Sequence, residues 1–486
     1  MKRVLFTNAY FYRFDPKQWR DKRPYPPYGT IYAAALIRKS GFTVQLFDTN
    51  LREDPAEIIP VLEEQHDYLV IYDDGFNYLS KMCLTKMREA ALDMIRFAAH
   101  KVKKVIVCSS DSTDHYSLYL EAGADFVILG EGELTLQELL QRLEKDDPEV
   151  NETLGIAYLK DGQAITNPRR PILRELDSLP DPAWDLVDVA SYKDLWLTHQ
   201  GVFSLNIATT RGCPYKCNWC AKPIYGNRYN SRSPERVAAE VEMLTKEHGV
   251  EHFWVCDDIF GLKPKWAQKF RDEVQKRKLK LRYKIQSRVD LLLKEDTIDA
   301  LAASGLETVW VGAESGSQKI LDAMDKGTQV EQIYQATRLL KAKGIKVGFF
   351  LQFGYLGETM EDIHKTISML LDLMPDDIGI SVSYPLPGTK FFDKVETQLK
   401  DKQNWTDSDD LAMMYRATFS PAFYRRLHRF VHKVFRRRQG WQQLQSLLQS
   451  PGSANATRLR SALATLYYLP AAELDRLRLR RLEKTS

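Results

Sequence analysis

The sequence predicts an α/β protein with two parallel sheets and a helical C-terminal region. Short apolar runs alternate with amphipathic segments over about the first 150 residues, and a second such series begins at Leu205. Continuous apolar strands between helices are buried on both faces, which is typical of parallel sheets. A proline-rich stretch from about Glu149 to Val202 separates the two series, so we place a domain boundary there.

The first series predicts a doubly wound, Rossmann-like domain over residues 1–148. Its five predicted strands are RVLFTNA, FTVQLFD, DYLVIYDD, KKVIVCSS and ADFVILG. Helices are predicted near 30–40, 55–65 and 84–101. The first of them stops at Gly41, a residue type favoured just beyond a helix C-terminus. The helix that opens GELTLQELLQRL closes the unit.

Residues 149–202 predict a linker that carries a β-hairpin. LGIAYLKDGQAITN places Asp161 and Gly162 between two short apolar runs, a pattern that indicates a tight hairpin turn. The following RELDSLPDPAWDLVD predicts an extended connection to the second series.

The second series predicts a partial (β/α)6 barrel over residues 203–395, although the alternation alone does not distinguish a barrel from an open sheet. Its strands are LNIATT, HFWVCDD, RYKIQSR, TVWVGAE, KVGFFLQFG and DIGISVSY. In (β/α) barrels the functional residues lie at the C-terminal ends of the strands. Residues 396–486 predict a helical cap, with seven Arg and Lys residues interleaved with aromatics over residues 424–441.

Composition narrows the class of protein. The chain has 486 residues, and 44% of them are hydrophobic. Its formal net charge of +4 is small for this length and does not by itself indicate a nucleic-acid partner. Three of its six cysteines fall within eight positions, unlike a secreted disulfide scaffold. We see neither a signal peptide nor a long uncharged apolar segment, and we therefore expect a cytoplasmic protein.

The central motif is TTRGCPYKCNWC, which follows the strand LNIATT and spaces its cysteines as Cys213-x3-Cys217-x2-Cys220. Thiolates are the usual ligands of iron–sulfur clusters. Three of them hold three irons of a cubane and leave the fourth open to bind a substrate. The alternative is a structural zinc site, which needs a fourth ligand such as Cys256.

This motif, with Trp219 before the third cysteine, resembles the radical S-adenosylmethionine (SAM) superfamily over roughly Leu205–Thr389. The resemblance implies a [4Fe–4S] cluster on Cys213, Cys217 and Cys220. It also implies SAM on the open iron and an external electron donor such as a flavodoxin or ferredoxin. Residues 1 to about 140 are similar to the cobalamin-binding domain of one branch, carried by PPYGTIYAAALIRKSGFTVQLFD and GEGELTLQELL. That branch contains the anaerobic oxidative cyclase of bacteriochlorophyll synthesis and C-methylases.

The resemblance also implies roles for residues at the ends of the barrel strands. Asp257 and Asp258 would lie near the methionyl amino group of SAM, and Arg288 would pair with its carboxylate. Glu314 and Ser315 would meet the ribose or methionyl part. Residues that would line the adenine include Trp219, Gln352 and Gly354. Structural alternatives stay open, since Asp257-Asp258 can cap a turn and Arg288 can pair with Asp290.

Cobalamin is expected at the carboxyl ends of the first series of strands, where open parallel sheets bind ligands. The small residues there that allow a flat corrin ring to approach are Ser109, Ser110, Gly130 and Gly132. The family motif D-x-H-x-x-G, which supplies a histidine to cobalt, does not occur in this sequence. We therefore expect cobalamin to bind without that ligand.

Three functions remain open from the sequence. The first is cobalamin-dependent methylation of an unactivated carbon after hydrogen abstraction. The second is oxidative cyclisation of a porphyrin-like or lipid-like substrate, as in the anaerobic cyclase. The third is an iron–sulfur sensor without catalysis, which would not need cofactor-type residues on six strand ends.

The basic segment at residues 424–441 bears on what the C-terminal region contacts. Arg425, Arg429 and Arg436 recur at helical spacing among aromatic residues. Such a helix is a solvated face of the cap, a contact with anionic lipid, or a contact with nucleic acid, which a basic run without a known binding module supports only weakly. We expect a small-molecule substrate of apolar or lipid-like character, no nucleic acid, and peripheral contact with the inner face of the membrane.

Overall fold

The computed structural model describes residues 2–77, 80, 84–145, 147, 149–399, 404–449 and 456–484. Cys83 lies outside these residues. Within them no helix is both long and apolar enough to cross a membrane.

The first sheet has seven strands in the order β2-β1-β3-β4-β5-β6-β7. The first five are parallel and confirm the predicted doubly wound arrangement. Their order places a topological switch between β1 and β3, where sheets of this kind bind ligands. The strands are β1 (Arg3–Thr7), β2 (Thr43–Phe47), β3 (Tyr68–Tyr72), β4 (Lys104–Cys108), β5 (Phe126–Ile128), β6 (Ile156–Lys160) and β7 (Gln163–Thr166).

The hairpin β6–β7 turns at Asp161 and Gly162, which both have positive φ as the sequence predicts. It does not stand apart in a linker. β6 pairs antiparallel with β5, so the hairpin extends the first sheet. Sequence patterns define the turn, whereas the edge to which a hairpin adds is decided by tertiary packing.

Among the described residues, seven α-helices pack around this sheet or connect its strands. They are α1 (Pro16–Asp21), α2 (Tyr28–Lys39), α3 (Ile58–Leu62), α4 (Thr85–Ala98), α5 (Ser110–Asp114), α6 (Tyr116–Glu121) and α7 (Glu133–Glu144). Short 3-10 turns lie at Tyr12–Phe14, Thr49–Leu51, Pro55–Glu57, Val150–Glu152, Leu176–Ser178, Trp184–Leu186 and Glu396–Gln398. Helix α8 (Val189–Gln200) then leads into the second sheet.

The second sheet contains the six predicted strands, all parallel, in the order β15-β14-β13-β12-β11-β8. Their bounds are β8 (Ser204–Ile207), β11 (His252–Val255), β12 (Tyr283–Ser287), β13 (Leu306–Glu314), β14 (Lys346–Phe353) and β15 (Asp377–Val382). β8 and β15 are edge strands in the described part of the chain, so the sheet is an open, partial barrel. A two-stranded ribbon of β9 (Thr210–Arg211) and β10 (Asn230–Ser231) follows β8.

The helices of this half are α9 (Pro234–His248), α10 (Trp266–Lys276), α11 (Val289–Leu292), α12 (Thr297–Ala303), α13 (Gln318–Ala323), α14 (Val330–Ala342), α15 (Met360–Leu373) and α16 (Lys390–Val395). The chain ends in two long helices, α17 (Pro421–Gln449) and α18 (Ala456–Glu483), packed along each other. One apolar core runs through both sheets and includes Leu5, Leu205 and Phe423. The two halves therefore form one packed body.

Candidate functional site

The three clustered cysteines lie on a loop between β9 and β10, at the carboxyl end of the second sheet. Gly212 opens this loop with φ +77°, and a Cβ there would lie 2.4 Å from the carbonyl oxygen of Arg228. Only glycine fits so close an approach in that conformation. The cofactor-type loop therefore starts from a rigid, glycine-dependent turn.

Cys213, Cys217 and Cys220 carry free, half-buried thiols. Burial raises the pKa of Cys220 to about 12 and also raises the pKa of Cys213. A guanidinium nitrogen of Arg288 lies 3.9 Å from the Cys217 sulfur. Thiols held neutral in this way lose their protons on binding a metal, so metal binding here would release protons.

Cys256 does not join the other three. It is buried behind the sheet edge, and its thiol donates to the carbonyl oxygen of Ile207 at 3.1 Å. Among the described residues no three His, Cys, Asp or Glu side chains converge on one metal-ion position. In the described part of the chain, Cys256 is therefore not placed as a fourth ligand beside the other three cysteines. Thiolates that bind three different irons of a cubane need not converge on one point.

Arg288 directly follows β12 and is buried beside the cysteine loop. Its guanidinium pairs with both carboxylate oxygens of Asp290, at 2.9 and 3.3 Å, and lies 3.7 Å from the ring centre of Tyr215. The ion pair foreseen as the structural alternative thus forms. The remaining guanidinium nitrogen is the one that faces Cys217.

Asp257 and Asp258 follow β11 but have different surroundings. Asp257 is buried and accepts from the backbone amides of Thr209 and Thr210, at 2.7 and 3.0 Å, and from the Thr209 hydroxyl. Burial raises its pKa to about 6. Asp258 is exposed, and its charge adds to the effect of burial in raising the pKa of Cys213 and Cys220. Asp257 thus fixes the start of the cysteine loop, and the charge of Asp258 acts on the thiols of Cys213 and Cys220.

Glu314 and Ser315, at the end of β13, contact other protein groups. Glu314 has φ +56° and pairs with the buried Lys326 ammonium at 2.8 Å. Burial alone would lower the pKa of Lys326, but Glu314 and Cys217 together outweigh it and the pKa is raised. The Ser315 hydroxyl lies 3.0 Å from the Thr366 hydroxyl and accepts from the Ser317 amide. Ser315 therefore anchors this strand end to α15.

Trp219 and Gln352 present unused polar atoms. The indole nitrogen of Trp219 and the amide oxygen of Gln352 are buried and have no hydrogen-bond partner within the described residues. Buried polar atoms are nearly always satisfied, so such atoms at a strand-end mouth indicate a ligand position. Gly354 instead turns the chain at φ +85°, where a Cβ would lie 2.9 Å from the Met413 methyl group.

A buried ion triad joins the cysteine loop to the first sheet. Arg211, two residues before Cys213, pairs with Glu131 at 2.5 Å and with Glu133 at 2.7 Å. All three side chains are buried. Sequence reasoning missed this link, as it missed Lys326. The available signal was an arginine directly before Gly-Cys and the acidic pair in GEGE.

The first-sheet residues predicted to meet cobalamin are only partly brought together. The Ser109 hydroxyl accepts from the Ser112 amide at 2.8 Å and caps α5, which holds the buried Ser110. A Cβ on Gly132 would lie 2.5 Å from the Cys108 sulfur, so Gly132 packs on its own domain. Gly130, with φ +90°, lines a cavity instead.

That cavity has a volume of about 680 Å³ and lies between the two halves of the protein. Gly130 lies just beyond β5, Pro214 belongs to the cysteine loop, and Tyr225 belongs to the continuation of that loop. Four arginines complete the wall: Arg169, Arg170, Arg174 and Arg228. The cavity thus connects the carboxyl edge of the first sheet to the residue that follows Cys213.

Residues 207–370 match the family model of the radical SAM superfamily. This segment is a radical SAM domain. An uncharacterized methyltransferase of Pyrococcus horikoshii is 32% identical to the chain over 284 residues, 58% of this chain and 60% of that protein. The anaerobic magnesium-protoporphyrin IX monomethyl ester cyclase of Rubrivivax gelatinosus is 31% identical over 289 residues, 58% of this chain and 51% of that protein. The chain thus spans little more than half the length of these relatives.

The fold likeness extends beyond the radical SAM domain. The solved structure of the cobalamin-dependent S-adenosylmethionine radical enzyme OxsB, with aqua-cobalamin bound, superposes with a TM-score of 0.73 and 18% identity. The match covers 99% of this chain and 72% of OxsB. Both sheets and the helical C-terminal region therefore share one architecture with that protein.

Proposed function

We propose that the chain is a cobalamin-dependent radical SAM enzyme that methylates an unactivated carbon. One observation carries this proposal: the loop with Cys213, Cys217 and Cys220 is tied by Arg211 to the carboxyl edge of a Rossmann-like domain. A site for an iron–sulfur cofactor and the ligand edge of a second domain thereby face one another. The full-length fold likeness to a cobalamin-dependent enzyme supports the same assignment.

The residues of the second sheet fit a [4Fe–4S] cluster with SAM. Three free thiols on one loop are the donor set that a cubane with one open iron requires. The unpartnered indole nitrogen of Trp219 and amide oxygen of Gln352 offer a donor and an acceptor to SAM. Arg288 and the Glu314–Lys326 pair would supply charge beside the zwitterionic methionyl group.

The first sheet fits a further ligand at its switch point. Asn8 follows β1 and is buried, and both atoms of its amide group are without partners in the described part of the chain. Asp73 follows β3, accepts from the Ala9 amide at 2.6 Å, and has a pKa raised to about 7 by burial. We assign cobalamin to this edge and to the adjoining cavity, without a histidine from a D-x-H-x-x-G motif.

When bound, SAM supplies a 5′-deoxyadenosyl radical after reduction, and methylcobalamin supplies a methyl group. The protein contributes position and exclusion of water. Asp257 holds the start of the cysteine loop through Thr209 and Thr210. The Arg211 triad fixes that loop against the other domain, and proximity of this kind lowers the entropic part of the barrier.

Oxidative cyclisation is the second candidate. The observation that favours it is the 31% identity to the anaerobic cyclase over 58% of this chain. Both candidates share hydrogen abstraction at the second sheet. They differ in whether the substrate carbon then receives a methyl group.

The proposal also includes the electron donor and the character of the substrate. Radical SAM enzymes act on small molecules and need an electron donor. We infer that a flavodoxin or ferredoxin in the cytoplasm is that donor, and that the substrate is apolar.

The decisive experiment is anaerobic reconstitution of the full chain, followed by analysis for iron, sulfide and corrinoid. The reconstituted protein is then given SAM and a reductant without substrate. A methylase yields 5′-deoxyadenosine and also S-adenosylhomocysteine, because SAM recharges its cobalamin. A cyclase yields 5′-deoxyadenosine alone. A protein that binds the cluster but releases neither product is a sensor, and the proposed function would be abandoned.

A further inference from the structure

The two C-terminal helices form an antiparallel hairpin whose inner face is held by ion pairs. Asp475 of α18 is almost fully buried and pairs with Arg426 and Lys433 of α17, each at 2.7 Å. Arg437 reaches Glu473 at 3.5 Å, and Arg436 reaches Asp377, the first residue of β15, at 3.4 Å. Much of the basic segment predicted to meet lipid is thus engaged within the protein. The basic residues of α17 are therefore a poor candidate for a lipid-binding face.

The outer face of α18 has the opposite character. Leucines and a tyrosine recur along it at helical spacing, and each is between 47% and 71% exposed. We call this set the leucine stripe; it consists of Leu459, Leu463, Leu466, Tyr467, Leu474 and Leu477. The opposite side of α18 is buried against α17 at Ala472, Asp475 and Leu479. Within the part of the chain that the structure describes, α18 therefore has an apolar face that no other segment covers.

Basic residues flank the leucine stripe. Arg460 and Arg478 are exposed on one side of it, and Arg476 and Arg480 are exposed on the other. At the far end of α17, Trp441 and the strongly exposed Leu448 add further apolar surface. Arg and Lys outnumber Asp and Glu along α18. An apolar stripe between rows of arginine is the pattern of a helix that lies in a membrane interface.

We propose that the leucine stripe docks on an anionic bilayer surface, with α18 lying parallel to it. Isolated exposed leucines are ordinary on soluble proteins, but a contiguous stripe marks a docking face. Charge decides the occupant. In a dimer through this face the arginine rows of two copies would lie close together, and like charges disfavour that contact. Anionic headgroups instead attract each arginine near the surface. The proposal concerns α18 alone and does not rest on the proposed catalytic function.

The test is flotation of the full chain with vesicles of phosphatidylcholine alone, or of phosphatidylcholine with a quarter phosphatidylglycerol. We expect binding to the anionic vesicles that weakens at high salt, because surface charges are screened within about 10 Å at 0.1 M salt. The variant Leu463→Gln, Leu466→Gln, Leu477→Gln should lower the vesicle partition coefficient by about tenfold or more, since three apolar side chains leave the bilayer. These side chains are exposed, so the thermal unfolding midpoint should not fall.

A matched control uses three exposed leucines outside α18, each between 41% and 46% exposed: Leu118→Gln, Leu159→Gln and Leu339→Gln. This variant should bind vesicles like the wild type. Arg460→Gln with Arg478→Gln should weaken binding to anionic vesicles and leave the weak binding to neutral vesicles unchanged. Equal flotation with neutral and anionic vesicles would overturn the proposal. So would a wild-type dimer in sedimentation equilibrium that the stripe variant converts to a monomer, because the occupant would then be a second copy.

Discussion

The carboxyl edges of the two parallel sheets differ in how they use their polar residues. At the second sheet, three thiols, an indole nitrogen and an amide oxygen stay open to a ligand. At the first sheet, Ser109 caps a helix and Gly132 packs on Cys108, which leaves mainly Gly130 and Asn8 for a ligand. The second edge offers chiefly side-chain atoms to a ligand, whereas the first offers a glycine backbone, the Asn8 amide and a cavity wall. The rule that ligands bind at the carboxyl ends of parallel strands therefore predicts both edges. It predicts individual residues well only where the chemistry requires a particular type of side chain.

The largest expected effect is at the cysteines. Replacing Cys213, Cys217 or Cys220 by Ala should abolish the iron–sulfur absorption of the reconstituted protein and all cleavage of SAM, because a cubane with one thiolate missing loses its support. Iron and sulfide content and 5′-deoxyadenosine are the readouts. The matched control is Cys256→Ala, which should keep both. If Cys256→Ala also loses its metal, the four-cysteine zinc site becomes the better explanation.

A smaller but still large effect on stability is expected at the Arg211 triad, which joins the cysteine loop to the first sheet. Arg211→Met leaves the Glu131 and Glu133 carboxylates buried without their cation, and breaking a buried ion pair in this way costs about 3–5 kcal/mol. The midpoint of urea unfolding should fall accordingly. Adding Glu131→Gln and Glu133→Gln to Arg211→Met should restore much of the loss. An unchanged midpoint for Arg211→Met would mean that the triad does not join the two halves.

Glu358 is a buried carboxyl group near the carboxyl edge of the second sheet. It accepts from the Gly354 amide at 2.6 Å, and burial raises its pKa to about 8. In the unfolded chain the same group loses its proton near pH 4.3. Between these values the native protein holds a proton that the unfolded chain lacks, so stability falls as pH rises, by at most about 1.4 kcal/mol per unit.

Glu358→Gln imitates the protonated carboxyl and should remove this dependence. The variant should gain stability over the wild type as the pH rises from 5 to 8, measured by urea unfolding at each pH. Glu361→Gln on the exposed start of α15 is the control and should show no such gain. Parallel pH profiles for the wild type and Glu358→Gln would contradict a buried neutral carboxyl.

The smallest effect should distinguish the first edge from the second. Ser109→Ala removes the cap of α5 and should cost about 1 kcal/mol of stability. Because the Ser109 hydroxyl is already used by the Ser112 amide, corrinoid uptake by the full chain should stay unchanged. Gly130→Ala, at positive φ on the cavity wall, should reduce corrinoid uptake. Reduced uptake in Ser109→Ala at full folding would show that the serine contacts the ligand.

The sequence was a good guide to the fold because strands and helices follow local patterns. All eleven predicted parallel strands occur, and the Asp161-Gly162 turn forms as expected. The pairing of the hairpin with β5 was not predictable, since an edge is chosen by contacts distant in the chain. The same limit applies to the sites. Cysteine spacing is local and predicts one loop, whereas Arg211 meets partners about eighty positions away and Lys326 meets Glu314 through a fold-dependent approach.

The strand-end acids show why residue roles were harder to predict. Asp257 and Asp258 are adjacent in the sequence but have different surroundings. The Asp257 carboxylate is buried and accepts from the Thr209 amide, whereas the charge of the exposed Asp258 acts on the thiol of Cys220. Alternation along a chain says that neighbouring side chains diverge, not which one meets a ligand. Assignments that need that choice remain proposals for Asp258, Arg288 and Glu314.

The Arg211 triad also determines how the protein can be divided. An N-terminal fragment that ends near residue 150 contains Glu131 and Glu133 but lacks Arg211, the cation with which both carboxylates pair. Such a piece must take up protons or open that edge to water. Corrinoid binding by a fragment would then report on a remodelled surface. The complementary piece would retain an arginine with no acid to meet, so neither half reproduces the interface of the whole.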